Sequence, residues 1–230
     1  MALATLRPMS EPSELLIRGI VVGVFAENCW VIGSRRTREA ICIDPGDQPD
    51  DILALAKDMG VEIKVIANSH AHIDHILGAR GVKNATNAQF LLHQGDHALA
   101  AQAGEHSRML TGQDAEPPPA PDASLADGDD VEVAGLKLRV IYTPGHTPGS
   151  VSFYTDGLLF SGDTLFRGSI GRTDLPGGDY ALEMSSIVDK LMALPDDTVV
   201  LPGHMQETQI GIEKQTNPFV LEELQRRREG

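Results

Sequence analysis

Ser69-His70-Ala71-His72-Ile73-Asp74-His75 places three histidines and one carboxylate within six consecutive residues, His70 to His75. Metal chemistry needs neutral imidazoles and ionised carboxylates held at fixed angles, and this run supplies both. Val65-Ile66-Ala67 before it reads as the end of a buried strand, and Ile76-Leu77-Gly78 after it as the first turn of a helix. In an extended segment, side chains two apart point the same way, so His70 and His72 can grip one ion as a pair. Asp74 and His75 lie past the bend and can aim at a second point nearby. A chance histidine-rich surface turn would need four ligand-type residues to cluster by accident.

Further along the chain, the same design recurs: an apolar strand, a tight turn, then a ligand-type residue. Leu138–Ile141 leads to Thr143-Pro144-Gly145-His146-Thr147-Pro148-Gly149-Ser150. Leu158–Phe160 leads to Ser161-Gly162-Asp163-Thr164, and Val199–Leu201 leads to Pro202-Gly203-His204. Glycine allows close backbone approach or positive φ, and proline stiffens a turn. Any one of these segments alone is an ordinary strand-ending turn. Together with the first run they give a candidate ligand set of His70, His72, Asp74, His75, His146, Asp163 and His204, five histidines and two carboxylates. Seven ligands exceed one tetrahedral site but suit two adjacent sites that share a carboxylate. His93, His97 and His106 read as surface or packing residues.

The rest of the composition sets bounds. A chain of 230 residues is long enough for one domain, taken here as 1–230, with a core that needs no disulfide staples. Aromatics make up 4%, so the core should be aliphatic. Cys29 and Cys42 both sit in apolar, strand-like stretches and read as buried free thiols, with a bridge between neighbouring strands as the alternative. The formal charge of −14 disfavours nucleic acid and anionic membranes as partners. Residues 1–16 hold no apolar run of signal-peptide length and no stretch approaches a membrane span, so the expectation is a cytoplasmic protein. Arg226, Arg227 and Arg228 read as a solvated last helical turn that complements the helix dipole.

Strands are expected at Leu15–Val24, Cys29–Ile32, Glu39–Ile43, Ile63–Ala67, Gln89–Leu92, Val131–Val133, Leu136–Ile141, Val151–Tyr154, Leu158–Phe160 and Thr198–Leu201. Helices are expected at Asp50–Met59, Asp96–Met109 and Tyr180–Leu194, the last with a stripe of Leu182, Ile187, Leu191 and Leu194. Asn217 and Pro218 look like the N-cap and first residue of a final helix whose Leu221 and Leu224 face the core. Residues 111–130, with four prolines and six acidic residues, read as a long loop. Mixed strands and helices in two halves suggest sheet against sheet, flanked by helices.

The order His-x-His-x-Asp-His, Pro-Gly-His-Thr-Pro-Gly-Ser, Ser-Gly-Asp and Pro-Gly-His resembles the metallo-β-lactamase superfamily, and within it the glyoxalase II-like hydrolases. Phe25-Ala26-Glu27-Asn28-Cys29-Trp30, Ile43-Asp44-Pro45-Gly46, Gly168-Ser169-Ile170-Gly171-Arg172-Thr173-Asp174 and the Asn217-Pro218-Phe219 tail match its compact bacterial form, over roughly residues 15 to 225. The resemblance implies an α+β fold, a four-layer αββα sandwich with a dinuclear site between the sheets. It implies that His70, His72 and His146 bind one metal, that Asp74, His75 and His204 bind a second, and that Asp163 bridges. Asp74 and Asp163 are then the carboxylates expected in catalysis, and Arg172 matches a basic position that contacts the thiol carrier of the substrate, the alternative being a structural pairing with Asp174. The family usually opens the motif with Thr where Ser69 stands, and follows the last ligand with Gly-Pro where Met205 and Gln206 stand.

The implied activity is hydrolysis of S-acyl thioesters, most simply S-lactoylglutathione to glutathione and lactate. The implied cofactor is two divalent ions, zinc first, with iron or manganese as alternatives. Two ions that share a carboxylate can share a water whose pKa falls to about 7, giving a bridging hydroxide at neutral pH. The expected partner is a small thioester. The rival readings are a persulfide dioxygenase with one Fe(II), a secreted β-lactamase, disfavoured by Asp163, and a metal-binding protein without turnover.

Overall fold

The computed structural model describes residues 14–229, so the reading of the first residues as lacking a leader falls largely outside it. Two six-stranded sheets form its centre. The first is ordered β1(Leu15–Val22), β2(Glu27–Ser34), β3(Glu39–Ile43), β4(Glu62–Ala67), β5(Gln89–His93) and β6(Ala123–Leu125). Its first three strands are antiparallel and the rest run parallel to β3. The second contains β7(Asp130–Val133), β8(Leu136–Tyr142), β9(Val151–Thr155), β10(Leu158–Gly162), β13(Val199–Pro202) and β14(Thr208–Gln209), with β10 and β13 parallel. A two-stranded ribbon, β11(Leu165–Phe166) and β12(Ser169–Ile170), follows β10.

Alternation along these strands produces three apolar layers. In β3, Ala40 and Cys42 face the helices α1(Pro49–Met59) and α3(Ala79–Thr86), while Ile41 and Ile43 face the other sheet. In β10 and β13, Phe160 and Leu201 join the inter-sheet core, and their neighbours Leu159 and Val200 join the core under α6(Tyr180–Ser185), α7(Ile210–Thr216) and α8(Pro218–Glu229). Side chains of period two with both faces buried give helix, sheet, sheet, helix, which is the expected αββα sandwich. Cys29 and Cys42 are buried free thiols with Sγ atoms 3.6 Å apart.

Turn chemistry follows local rules. Asp156 and Gly157, both at positive φ, make a two-residue hairpin between β9 and β10. Gly60 ends α1 in the left-handed conformation. Asn217 Oδ1 accepts from the Phe219 N–H at 3.1 Å, as an N-cap should.

Several expectations fail for physical reasons. The first strand ends at Val22, and Val24 lies exposed in the turn between β1 and β2. The expected helix from Asp96 breaks at Gln102 into α4(His97–Ala101) and α5(Ala103–Thr111). The helix from Tyr180 is α-helical only to Ser185, then passes through a π turn and a 3₁₀ turn; Ile187, Leu191 and Leu194 of the expected stripe join the core, but Met184 stands in the inward place expected of Leu182, which lies five residues before Ile187 and is exposed. In α8 the buried positions are Val220 and Glu223, with Leu224 packed beside them, while Leu221 points outward. The long acidic loop contains β6, which pairs parallel with β5. Arg226, Arg227 and Arg228 are exposed as expected, but Arg226 and Arg227 also clasp Glu223, and Arg227 pairs with Asp189.

Candidate metal centre

The candidate ligands follow the C-terminal ends of four strands. β4 runs into Ser69–His75, with the short helix α2(Ile73–Ile76) carrying Asp74 and His75. β8, β10 and β13 point the same way and run into His146, Asp163 and His204. The two edges meet, with the Val151 N–H donating to Ser69 O at 2.8 Å. The meeting requires glycine: a Cβ on Gly203 would come within 2.5 Å of Asp163 Oδ1, and one on Gly162, at φ +50°, within 2.4 Å of Ser69 Oγ.

All seven sequence-predicted residues converge. His70, His72 and His146 offer donor atoms within 4.8 Å of one another, and so do Asp74, His75 and His204. His72 Nδ1 faces His146 Nε2 at 2.8 Å, and His204 Nε2 lies 3.2 Å from Asp74 Oδ2 and 3.3 Å from His75 Nε2. Asp163 lies between the groups: Oδ1 is 3.3 Å from His75 Nε2, and Oδ2 is 3.6 Å from both His146 Nε2 and His204 Nε2.

The remaining imidazole nitrogens fix the tautomers. His146 Nδ1–H donates to Arg172 O at 2.7 Å, leaving Nε2 with a lone pair toward the cluster. His75 Nδ1–H donates to Asp44 Oδ2 at 3.1 Å. The Ser69 hydroxyl gives its proton to Asp44 Oδ2 at 2.6 Å, so it accepts from His70 Nδ1–H at 3.0 Å. Among the described residues, His70 Nε2 is therefore a buried lone pair with no hydrogen-bond partner, and Asp163 Oδ1 is a buried carboxylate oxygen with none. Nitrogen and oxygen lone pairs turned toward one point at such distances repel unless a cation lies between them. The donor set therefore fits divalent metal.

Electrostatics divide the centre. Burial and the neighbouring imidazoles push His70 well below the ordinary histidine range, and push His72 down to about 3. Burial also lowers His146, against the pull of Asp163. A lowered pKa favours the neutral imidazole that a metal ligand must be. Burial opposes charge on His75 and His204 too, but the carboxylates around them outweigh it and raise both. Burial opposes charge on Asp74 and Asp163 as well, but His75 and His204, joined at Asp163 by His146, hold both carboxyls below the usual range.

Three supporting carboxyls were not singled out from the sequence. Asp44, named in the sequence only within the Ile43-Asp44-Pro45-Gly46 match, orients both Ser69 and His75. Asp96, read as a helix start, accepts from Ala71 N at 2.9 Å, Thr147 Oγ1 at 2.8 Å and Gly149 N at 2.7 Å, joining the two ligand loops. Glu183 accepts from His146 N at 2.8 Å, and burial pushes its carboxyl up to about 9. Asp44 could have been found, because it also follows an apolar strand. Glu183 could not, because it sits in a helical stretch that gives no sign of which face is buried. The Arg172 side chain forms a two-pronged pair with Asp174, both bonds at 2.7 Å, while its main chain serves His146. Met205, at positive φ, and Gln206 do not displace His204, because Asn28 Nδ2 holds Pro202 O and Met205 O, each at 3.0 Å.

The sequence pattern of the metallo-beta-lactamase superfamily matches residues 22–204, a span that includes all seven converging residues. The chain belongs to the metallo-beta-lactamase superfamily. Superfamily members are metal-binding and generally hydrolytic, which agrees with the donor set. The chain is 33% identical over 210 residues to hydroxyacylglutathione hydrolase GloC of Haemophilus influenzae, covering 87% of this chain and 96% of that protein. The crystal structure of BLEG-1 B3 metallo-beta-lactamase superposes with a TM-score of 0.84 at 35% identity, covering 89% of this chain and 99% of that one. That of TTHA1623 in a di-iron-bound form gives 0.80 at 36% identity, covering 88% and 99%. Among the described residues no helix is long and apolar enough to cross a membrane.

Proposed function

We propose that this protein is a dinuclear metallohydrolase of S-acyl thioesters, similar to hydroxyacylglutathione hydrolase. The observation that carries the reading is the position of Asp163 between the His70/His72/His146 group and the Asp74/His75/His204 group, within 3.6 Å of an imidazole nitrogen on each side. The first group would hold one divalent ion, the second group the other, and Asp163 both. Bound there, such a pair supplies a nucleophilic water at neutral pH and a Lewis acid for the carbonyl oxygen. Zinc suits the donor set, and iron and manganese are accommodated by the same ligands. The likeness to GloC supports the thioester, and the di-iron form of TTHA1623 supports two ions.

The chain's own residues supply orientation. Asp44 and Ser69 fix His70 and His75, and Arg172 O fixes His146. Asp74 is ionised and partly open to solvent, so it can accept a hydrogen bond from an attacking water. Thiols have pKa values near 8.5, so a thiolate leaves without a strong general acid. Arg172 is the proposed contact for the thiol carrier, and a carboxylate there would compete with Asp174 for the guanidinium.

Purified protein should bind two equivalents of zinc or iron and hydrolyse S-lactoylglutathione. Asp163→Ala should abolish turnover, His204→Ala should reduce occupancy of the second site, and His146→Ala that of the first. Binding that never exceeds one ion, or oxygen uptake on glutathione persulfide without thioester hydrolysis, would show the reading to be wrong. Turnover of a cephalosporin with none of any thioester would do the same.

A further inference from the structure

A groove of about 700 Å³ opens beside the metal centre, with Asp74 in its wall. One side is the β1–β2 turn with Val24 and Phe25. Ile73 and Leu77 line it too, with Leu110 at the end of α5 and the chain that follows. Volumes of roughly 300–1,000 Å³ are those of small-molecule sites. Val24, Phe25 and Leu110 are 80%, 44% and 70% exposed, and they converge on one cleft rather than lying scattered.

The walls are fixed. Gly23 N–H donates to Gln48 Oε1 at 2.9 Å, holding the turn. Ser107 Oγ donates to Gln113 O at 3.1 Å, and Arg80 donates to Pro117 O at 2.8 Å and Pro118 O at 3.2 Å, holding the proline-rich segment. Among the described residues Arg80 is the only cation lining the groove, and it is taken up by those carbonyls and by Glu116. The lining is mixed: Asn84, Thr111 and Gln113 add neutral polar groups to the apolar side chains, and Asp47, Asp114 and Glu116 repel an anionic arm.

We propose that this groove binds the acyl chain of the substrate, and that the preferred acyl group is an uncharged, apolar chain much longer than lactoyl. The inference rests on the thioester reading for the word acyl, and on the groove itself for the chemistry. A thioester carbonyl at the centre has two arms, and the groove continuous with Asp74 accepts only the neutral one. A lactoyl group would leave most of the volume unfilled, whereas each methylene laid along Leu77, Phe25 and Leu110 leaves water.

The test uses thioethers, which cannot be hydrolysed. Calorimetric binding of S-methyl-, S-butyl-, S-hexyl- and S-octylglutathione to the zinc-loaded full chain should tighten roughly twofold to fourfold per methylene. Leu110→Asp and Phe25→Asp, both at exposed positions, should weaken the octyl compound at least tenfold and the methyl compound less than twofold, with unchanged circular dichroism. A flat series, undetectable binding of the octyl compound, or a slope that persists in both variants overturns the proposal. Hydrolysis of S-lactoylglutathione alongside a flat series would leave the hydrolase reading standing without the groove. A steep series with no thioester hydrolysed would do the reverse.

Discussion

Asp44 accepts three of the hydrogen bonds that orient the histidine run, from Ser69 N, Ser69 Oγ and His75 Nδ1. An ionised carboxylate can take all three because it has only acceptors. Asparagine offers one acceptor oxygen and a donor nitrogen, so Asp44→Asn must leave a donor facing Ser69 or His75. With Ser69 no longer able to give its proton away, the His70 tautomer is no longer fixed. Asp44→Asn should therefore weaken metal binding by roughly 10–100-fold without touching a ligand, as measured by competition with a chromogenic chelator. Asp47→Asn, a few residues on and outside this network, should leave affinity unchanged; equal losses in both would mean that local charge, not orientation, matters. The sequence exposed the seven converging residues because each follows a strand or a turn rich in glycine and proline. It did not expose Glu183 or Asp96, whose work depends on which loops the fold brings against them. A buried glutamate in a helix and a surface one have the same letter and the same spacing.

Strands were more legible than helices, and the reason is periodicity. Ile41/Cys42 and Leu159/Phe160 are adjacent apolar pairs that split between two cores, and a run buried on both faces can be read without knowing which face is which. A helix must be read in phase. Leu182 lies five residues before Ile187, a step that leaves one α-helical face, so Met184, three residues before Ile187, takes the inward place and Leu182 ends outside. In α8 the unread partner was charge: Glu223 occupies the inward position because Arg226 and Arg227 close over it. These arginines hold its carboxyl down to about 2, against an ordinary value near 4.5. A lowered folded-state pKa means that this contribution is present above the unfolded pKa and is lost as pH falls through the folded one. Glu223→Gln should therefore flatten the acid side of the stability profile. The drop in Tm of metal-free protein between about pH 5 and pH 2 should shrink by roughly 2–4 °C, with little change in slope above about pH 6. An unchanged acid limb would mean that the clasp does not form in solution.

Viewed whole, the molecule is two sheets joined across a shared apolar core. The inter-sheet core of Ile43, Leu138, Phe153, Phe160 and Leu201 joins the sheets, and the candidate ligands join them again at one edge. His70, His72, Asp74 and His75 come from the first sheet's side, and His146, Asp163 and His204 from the second's. The chain as a whole carries a formal charge of −14, so cations at that edge also relieve repulsion. Metal bound there as proposed would be a cross-link between the sheets, and its binding energy would appear as folding stability. At a free metal concentration 1,000 times Kd the linkage is about 4 kcal/mol. For a chain of this size, that corresponds to a rise in Tm of roughly 8–16 °C over the chelated protein. If the ions are shared as proposed, hydrogen exchange should slow on both sheets at once, at Ala67–His75 and at Thr143–His146, because opening the edge of either sheet would then require their release. His72→Ala should lose part of the Tm rise and His70→Ala more, since His70 is fully buried and braced by Ser69 while His72 is partly exposed. A metal-induced rise confined to one sheet in exchange, with the other sheet unchanged, would show that the ions are held by one half alone and that Asp163 does not join them.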